Sequence, residues 1–159
     1  MHFRNLSDSE ARNSNVKTVF SCCPGEVIPL ERLSNDVFSS MILGDGFGVI
    51  PTSGKFTAPA AGTVKDVSES GCDVTLKTDD DIILIVSIGC DPSAERLKAD
   101  CRVKPGDRVT TSTVLWELER SRKGVTAAVI VTNSLTSPSF NIRYGKIKQA
   151  ETPVMTILI

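Results

Sequence analysis

The chain has 159 residues, 40% of them hydrophobic, with eighteen basic against nineteen acidic side chains and a net charge of −1. That length suits one domain with a real core, and the balanced charge, free of any basic block, argues against nucleic acid or an anionic membrane surface as partner. The longest apolar runs, Ile82–Val86 and Ala127–Val131, fall far below the roughly 18 residues of a membrane span, and the N-terminus lacks the apolar stretch of a secretory signal. A cytosolic protein without membrane insertion is expected.

Residues 1–15 are polar and aperiodic and read as a flexible tail, leaving 16–159 as the single domain. From Val16 onward short β-branched or apolar runs alternate with Gly, Pro, Asp and Ser: VKTVF, GEVIPL, FGVIP, GKFTAP, GTVKDV, CDVTL, IILIVSI, RVKPGDRV, TVLWEL, AAVIVTN, FNIRYGKI and PVMTILI. Strands at this short, regular spacing predict an all-β antiparallel sandwich or barrel with little helix. The best helical candidate is a turn or two over residues 91–99, DPSAERLKA, with Pro92 at its first position.

Several motifs carry a bland reading and a sharper one. The glycines of GDGFG, residues 44–48, lack the following helix and Lys-Ser/Thr of a phosphate loop and are read as turn residues. Asp79–Asp81 is read as a solvated hairpin tip, Cys22-Cys23 as strand and turn residues, and Trp116 as core. The turns of KFTAPAAGTV and RVKPGDRV are similar to those of biotinyl and lipoyl carrier domains, but the Met-Lys-Met setting of their modified lysine is absent.

Chemistry is limited by what the chain lacks. The five cysteines, at 22, 23, 72, 90 and 101, are odd in number and without CxxC spacing, so free thiols are expected. The only histidine is His2. Two-His metal motifs and His-dependent triads are therefore unavailable inside the domain, and no metal or cofactor is expected. The hairpin over residues 70–91 can be placed in register by taking Asp79–Asp80 as a two-residue turn. Cys72 then faces Ser87, Val74 faces Ile85 and Leu76 faces Ile83. Two nucleophile-type side chains would meet across neighbouring strands.

The stretches GEVIPLERL, DVFSSMILGDGFGVIP, GKFTAPAAGTV, IGCD, VKPGDRV, VIVTN and ETPVMTILI resemble, in order and spacing, the glucose-type enzyme IIA domain of the bacterial sugar phosphotransferase system. The likeness runs from about Val16 to Ile159 and implies a compact antiparallel β-sandwich of the duplicated-hybrid-motif type. Domains of this family accept a phosphoryl group on a histidine from a histidine phosphocarrier protein and pass it to an enzyme IIB domain, with a second histidine in support. Aligning LIVSIGCD on the family's second-histidine strand puts Ser87 at that position and Cys72 at the acceptor. The same alignment implies a partner-binding depression ringed by Val37, Phe38, Ile42, Leu43, Ile85 and Ile88, with Asp91 beside it. Further departures from the family pattern are Asp81 in place of a glycine, Pro92 in place of a threonine, Ala127-Ala128 in place of Thr-Pro, and a shortened AERLKAD segment.

The resemblance therefore implies an enzyme IIA scaffold without its histidine relay. Such a pseudoenzyme would bind the phosphocarrier protein, an enzyme IIB domain, or a regulated transporter or metabolic enzyme. The alternative is an active carrier with Cys72 as phosphoacceptor and Ser87 assisting. Asp73 and Asp91 near that thiol would disfavour the thiolate.

Overall fold

In the computed structural model, residues 16–33, 44–79, 81–88, 100–118, 125–132, 139–148 and 152–158 are described. The strands follow the predicted runs closely: β1 (Val16–Phe20), β2 (Gly25–Pro29), β3 (Asp45–Pro51), β4 (Lys55–Thr57), β5 (Gly62–Val67), β6 (Asp73–Thr78) and β7 (Ile83–Ile88). They continue as β8 (Arg108–Val109), β9 (Val114–Glu117), β10 (Ala127–Val131), β11 (Ser139–Ile142), β12 (Gly145–Ile147) and β13 (Pro153–Leu158). The one helical element among the described residues is a 3-10 turn, Leu30–Arg32. The helix expected over 91–99 lies outside the described residues.

Every pairing is antiparallel, in an eight-stranded sheet ordered β12-β2-β3-β10-β7-β6-β5-β8, a three-stranded sheet β1-β13-β11, and the pair β4-β9. The all-β antiparallel expectation holds. The run FNIRYGKI, expected as one strand, is two: β11 joins β13 while β12 joins β2 in the large sheet. The run RVKPGDRV forms a strand only at its last two residues.

The large sheet has an inner face that carries the main core and an outer face that carries a second, smaller apolar cluster. On β6, Val74, Leu76 and Thr78 point inward while Asp73 and Thr75 are only half-buried, which is the alternation of a strand with one covered face. All five residues of β10 are buried. It sits centrally between β3 and β7, with Val129 in the main core and Ala128 and Ile130 in the outer cluster, so a continuous apolar run is what this position requires.

Trp116 on β9 is wholly buried, as expected. Its ring meets Phe56 edge-on, with centroids 6.3 Å apart and planes at 83°. Its indole N–H donates to the Gly71 carbonyl at 2.5 Å, which satisfies its polar atom and ties the β5–β6 turn to the β4–β9 pair.

The glycines of GDGFG are not turn residues. Asp45 to Gly48 lie within β3, where a side chain on Gly46 would collide with the Val129 carbonyl. A Cβ on Gly48 would stand 2.9 Å from Leu33 Cδ2 and 3.2 Å from Ile28 Cγ1. The absence of side chains thus lets β10 approach and lets Leu33 lie flat on the outer face.

The β6–β7 hairpin differs from its predicted form. The Thr78 N–H donates to the Ile82 carbonyl at 2.8 Å, and the Asp81 N–H donates to the Thr78 carbonyl at 3.1 Å, so the connection runs from Asp79 to Asp81 rather than over two residues. Asp81 takes a left-handed φ of 63°, the conformation that closes a three-residue hairpin loop. Asp79 is not merely solvated: both its oxygens accept from the Arg108 guanidinium, at 2.6 and 3.1 Å, and this pairing holds its carboxyl below the ordinary value.

Trp116→Ala should cost about 3–5 kcal/mol, as large aromatic truncations in a packed core do. A urea unfolding curve whose midpoint is barely displaced would show that the indole bridge and its ring contacts matter little.

Candidate functional site

The one-residue change in the hairpin reassigns every cross-strand pair. Asp73, not Cys72, opposes Ser87; Val74 opposes Val86, Thr75 opposes Ile85, Leu76 opposes Leu84 and Lys77 opposes Ile83. Cys72 instead pairs with Ile88, whose N–H donates to the Cys72 carbonyl at 3.0 Å. Because side chains alternate, a slip of one residue moves a residue to the other face. The expected meeting of Cys72 and Ser87 is therefore corrected.

Cys72, 7% exposed, packs into the main core with Val74 and Leu76. Ile88, expected on the rim of the depression, is likewise in the main core at 2% exposure. Ser87 and Ile85 are on the outer face. Val37, Phe38, Ile42, Leu43 and Asp91 lie outside the described residues.

The outer face is built in two rows. Ile28, Gly48, Ala128, Ser87 and Asp73 stand side by side across β2, β3, β10, β7 and β6. One step along the strands come Gly46, Ile130, Ile85, Thr75 and Asp66 on β3, β10, β7, β6 and β5. Leu30 and Leu33, from the 3-10 turn and its end, cover part of this surface with Ile28, Ala128 and Ile130, and half-buried Ile85 packs against them.

One end of the first row is polar. The Ser87 hydroxyl, 3% exposed, donates to Asp73 Oδ1 at 2.5 Å, a short charge-assisted bond that satisfies a buried hydroxyl. Asp73 is held by Ser68 on its other side: its N–H donates to Ser68 Oγ at 3.1 Å and its carbonyl accepts from the Ser68 N–H at 2.9 Å.

This arrangement offers an apolar platform ending in a carboxylate. It holds no imidazole, and the serine hydroxyl is committed to Asp73. A negative charge at that point opposes an incoming anionic phosphoryl group. Among the described residues no group of three or more His, Cys, Asp or Glu is placed to hold a metal ion. Asp73 becomes Ser87's partner because the turn takes in a third aspartate, Asp81, one residue more than the two-residue turn expected from the sequence.

Tyr144, immediately before β12, belongs to no motif that the sequence singles out. It is 41% exposed, and its hydroxyl is pushed up to about 12, first by burial and then by the carboxylates of Glu31 and Asp45. Glu31 belongs to the 3-10 turn and Asp45 to β3, so the ring flanks the β2–β3 side of the large sheet.

Comparisons with known proteins bear on the fold and the family. Residues 17–136 match the family model of the phosphoenolpyruvate-dependent sugar phosphotransferase system, EIIA 1. The PTS system glucose-specific EIIA component of Staphylococcus aureus is 31% identical over 130 residues, covering 78% of each chain. The component of the same name from Oceanobacillus iheyensis is 24% identical over 163 residues, covering 98% of this chain and 99% of its own. Among solved structures, glucose permease IIA from Mycoplasma capricolum superposes with a TM-score of 0.75 at 21% identity, over 98% of this chain and 99% of its own, which supports the fold. An antiparallel β-sandwich with this sequence signature defines an enzyme IIA domain. The chain belongs to the EIIA type 1 family of the sugar phosphotransferase system.

Ser87→Ala should destabilise the fold by about 1.5–3 kcal/mol, the range for hydrogen bonds to charged groups. A double-mutant cycle with Asp73→Ala checks the pairing, and strictly additive losses would refute it. Tyr144 is the only tyrosine in the chain, so its titration can be followed by phenolate absorbance without ambiguity. The midpoint should fall near 12, and one close to the ordinary 10 would contradict its placement beside Glu31 and Asp45.

Proposed function

We propose that this chain is an enzyme IIA component of the sugar phosphotransferase system that lacks the histidine phosphoryl relay and acts as a protein-binding, regulatory module. The observation that carries the reading is the histidine count: His2 is the only one, so residues 16–159, the proposed domain, contain none. Resemblance puts the family's two histidines at Cys72 and Ser87, neither of which can act as an imidazole. Burial of Cys72 and the carboxylate of Asp73 beside Ser87 weigh against a thiol carrier in their place.

Docking would use the outer face, where Ile85 lies half-buried next to the Ser87–Asp73 pair. The partners this reading names are the histidine phosphocarrier protein, an enzyme IIB domain, or a transporter or metabolic enzyme under regulation. The glucose-specific names of the relatives point to a glucose-type system. Within the described residues no helix is long and apolar enough to cross a membrane. A cytoplasmic location is part of the proposal.

Incubation with phosphoenolpyruvate, enzyme I and the histidine phosphocarrier protein, followed by intact mass measurement under conditions that preserve phosphohistidine and phosphocysteine, should leave the chain unmodified. Phosphate on Cys72 would overturn the reading in favour of an active carrier. In a parallel titration with the phosphocarrier protein, Ile85→Asp should weaken binding roughly tenfold or more, the effect of losing one anchor residue. Equal binding by both forms would move the docking site off this face.

A further inference from the structure

A cavity of about 190 Å³ lies between β1 of the three-stranded sheet, the tip of the β6–β7 hairpin, and the β4–β5 and β8–β9 connections, which join the large sheet to the β4–β9 pair. Two hydrogen bonds fix its walls. The Phe20 N–H donates to the Pro59 carbonyl at 2.8 Å, tying β1 to the β4–β5 loop, and the Ile82 N–H donates to Thr78 Oγ1 at 3.0 Å within the hairpin tip.

The cavity is separate from the outer-face pair. Thr78, in its wall, and Asp73 are at opposite ends of β6, roughly 17 Å apart along an extended strand.

Its lining has an apolar part and a polar part. Val19, Ala60 and Ile82 are buried, whereas Lys17 and Thr111 are half-buried and Asp79 is exposed. An apolar hollow with a few convergent polar groups is the usual form of a small-molecule site. Both oxygens of Asp79 accept from the Arg108 guanidinium, so two cations, Lys17 and Arg108, stand here against one carboxylate. That balance favours an anion over a cation. An ammonium carries three N–H donors and can serve a ligand carboxylate beside its other acceptors. A single excess positive charge suits a carboxylate better than a doubly charged phosphate.

Size limits the rest of the ligand. A cavity of about 150 Å³ holds benzene, so this one takes an unbranched acid of about five carbons. We propose that the cavity binds a short-chain carboxylate, its head group on the Lys17 ammonium and its tail against Val19, Ala60 and Ile82. Such a ligand touches β1 and the hairpin tip at once, and so braces the turn that sets the β6–β7 register.

The test is titration of the isotope-labelled full-length chain with sodium pentanoate, at constant pH and ionic strength, followed by backbone amide shifts. Saturable shifts are expected at Lys17, Phe20, Ala61, Asp79 and Thr111, with Asp73 and Ser87 unmoved, together with a higher unfolding midpoint at saturation. Pentanamide, which has the same shape without the charge, should bind at least about tenfold more weakly, and Lys17→Gln should weaken pentanoate by a similar factor. Lys17→Arg should retain it. Ala61→Leu, at an exposed position on the cavity wall, should block the site without touching the core.

Equal binding of pentanoate and pentanamide would overturn the carboxylate assignment. Shifts that never saturate, or that spread to Asp73 and Ser87, would overturn the site itself, as would pentanoate binding that survives both Lys17→Gln and Ala61→Leu. The titration of the unsubstituted chain decides this even where a variant folds poorly.

Discussion

The register between β6 and β7 is the constraint on which the outer face depends. It is set at the hairpin tip, where Asp81 adopts a left-handed conformation and lengthens the connection by one residue. For a residue with a side chain this conformation carries a local cost, and aspartate tolerates it better than most. In return Val74, Leu76, Leu84 and Val86 enter the main core together, and Ser87 is brought against Asp73. A two-residue turn would exchange the faces of one strand relative to the other, burying Asp73 or exposing the valines.

From that register follows a sheet with two unequal apolar sides. The inner side supplies the main core, closed by Trp116, Phe56 and the small sheets. Among the described residues the outer side carries a strip of Ile28, Ala128, Ile130 and Ile85 beneath Leu30 and Leu33. Gly48 makes this strip possible, because a Cβ there would press on Leu33. Among the described residues the larger apolar cluster lies on the inner face, and the outer strip ends in the Ser87–Asp73 hydrogen bond.

The thiols divide along the same line. Cys22 and Cys23 are core residues with no access to solvent. Cys72 is drawn inward by the register into the main core, away from the Ser87–Asp73 pair of the outer face. Cys72 is thus set among apolar side chains of the main core, with its thiol turned to the Ser70 carbonyl.

The sequence by itself determined the strands and the antiparallel all-β class, because alternation, β-branched runs and Gly/Pro punctuation are local signals repeated along the whole chain, and its motifs, by their resemblance, pointed to the family. It also determined what chemistry is absent, since one histidine at position 2 can be counted without a structure. Tertiary structure alone decided which residues meet: that the glycines after Leu43 serve close strand approach rather than a turn, that FNIRYGKI divides between two sheets, and that Asp73 rather than Cys72 is Ser87's partner. The reason is that pairing register has a period of two and hangs on the conformation of a single turn residue, so an error of one position leaves every strand assignment intact and reverses every face.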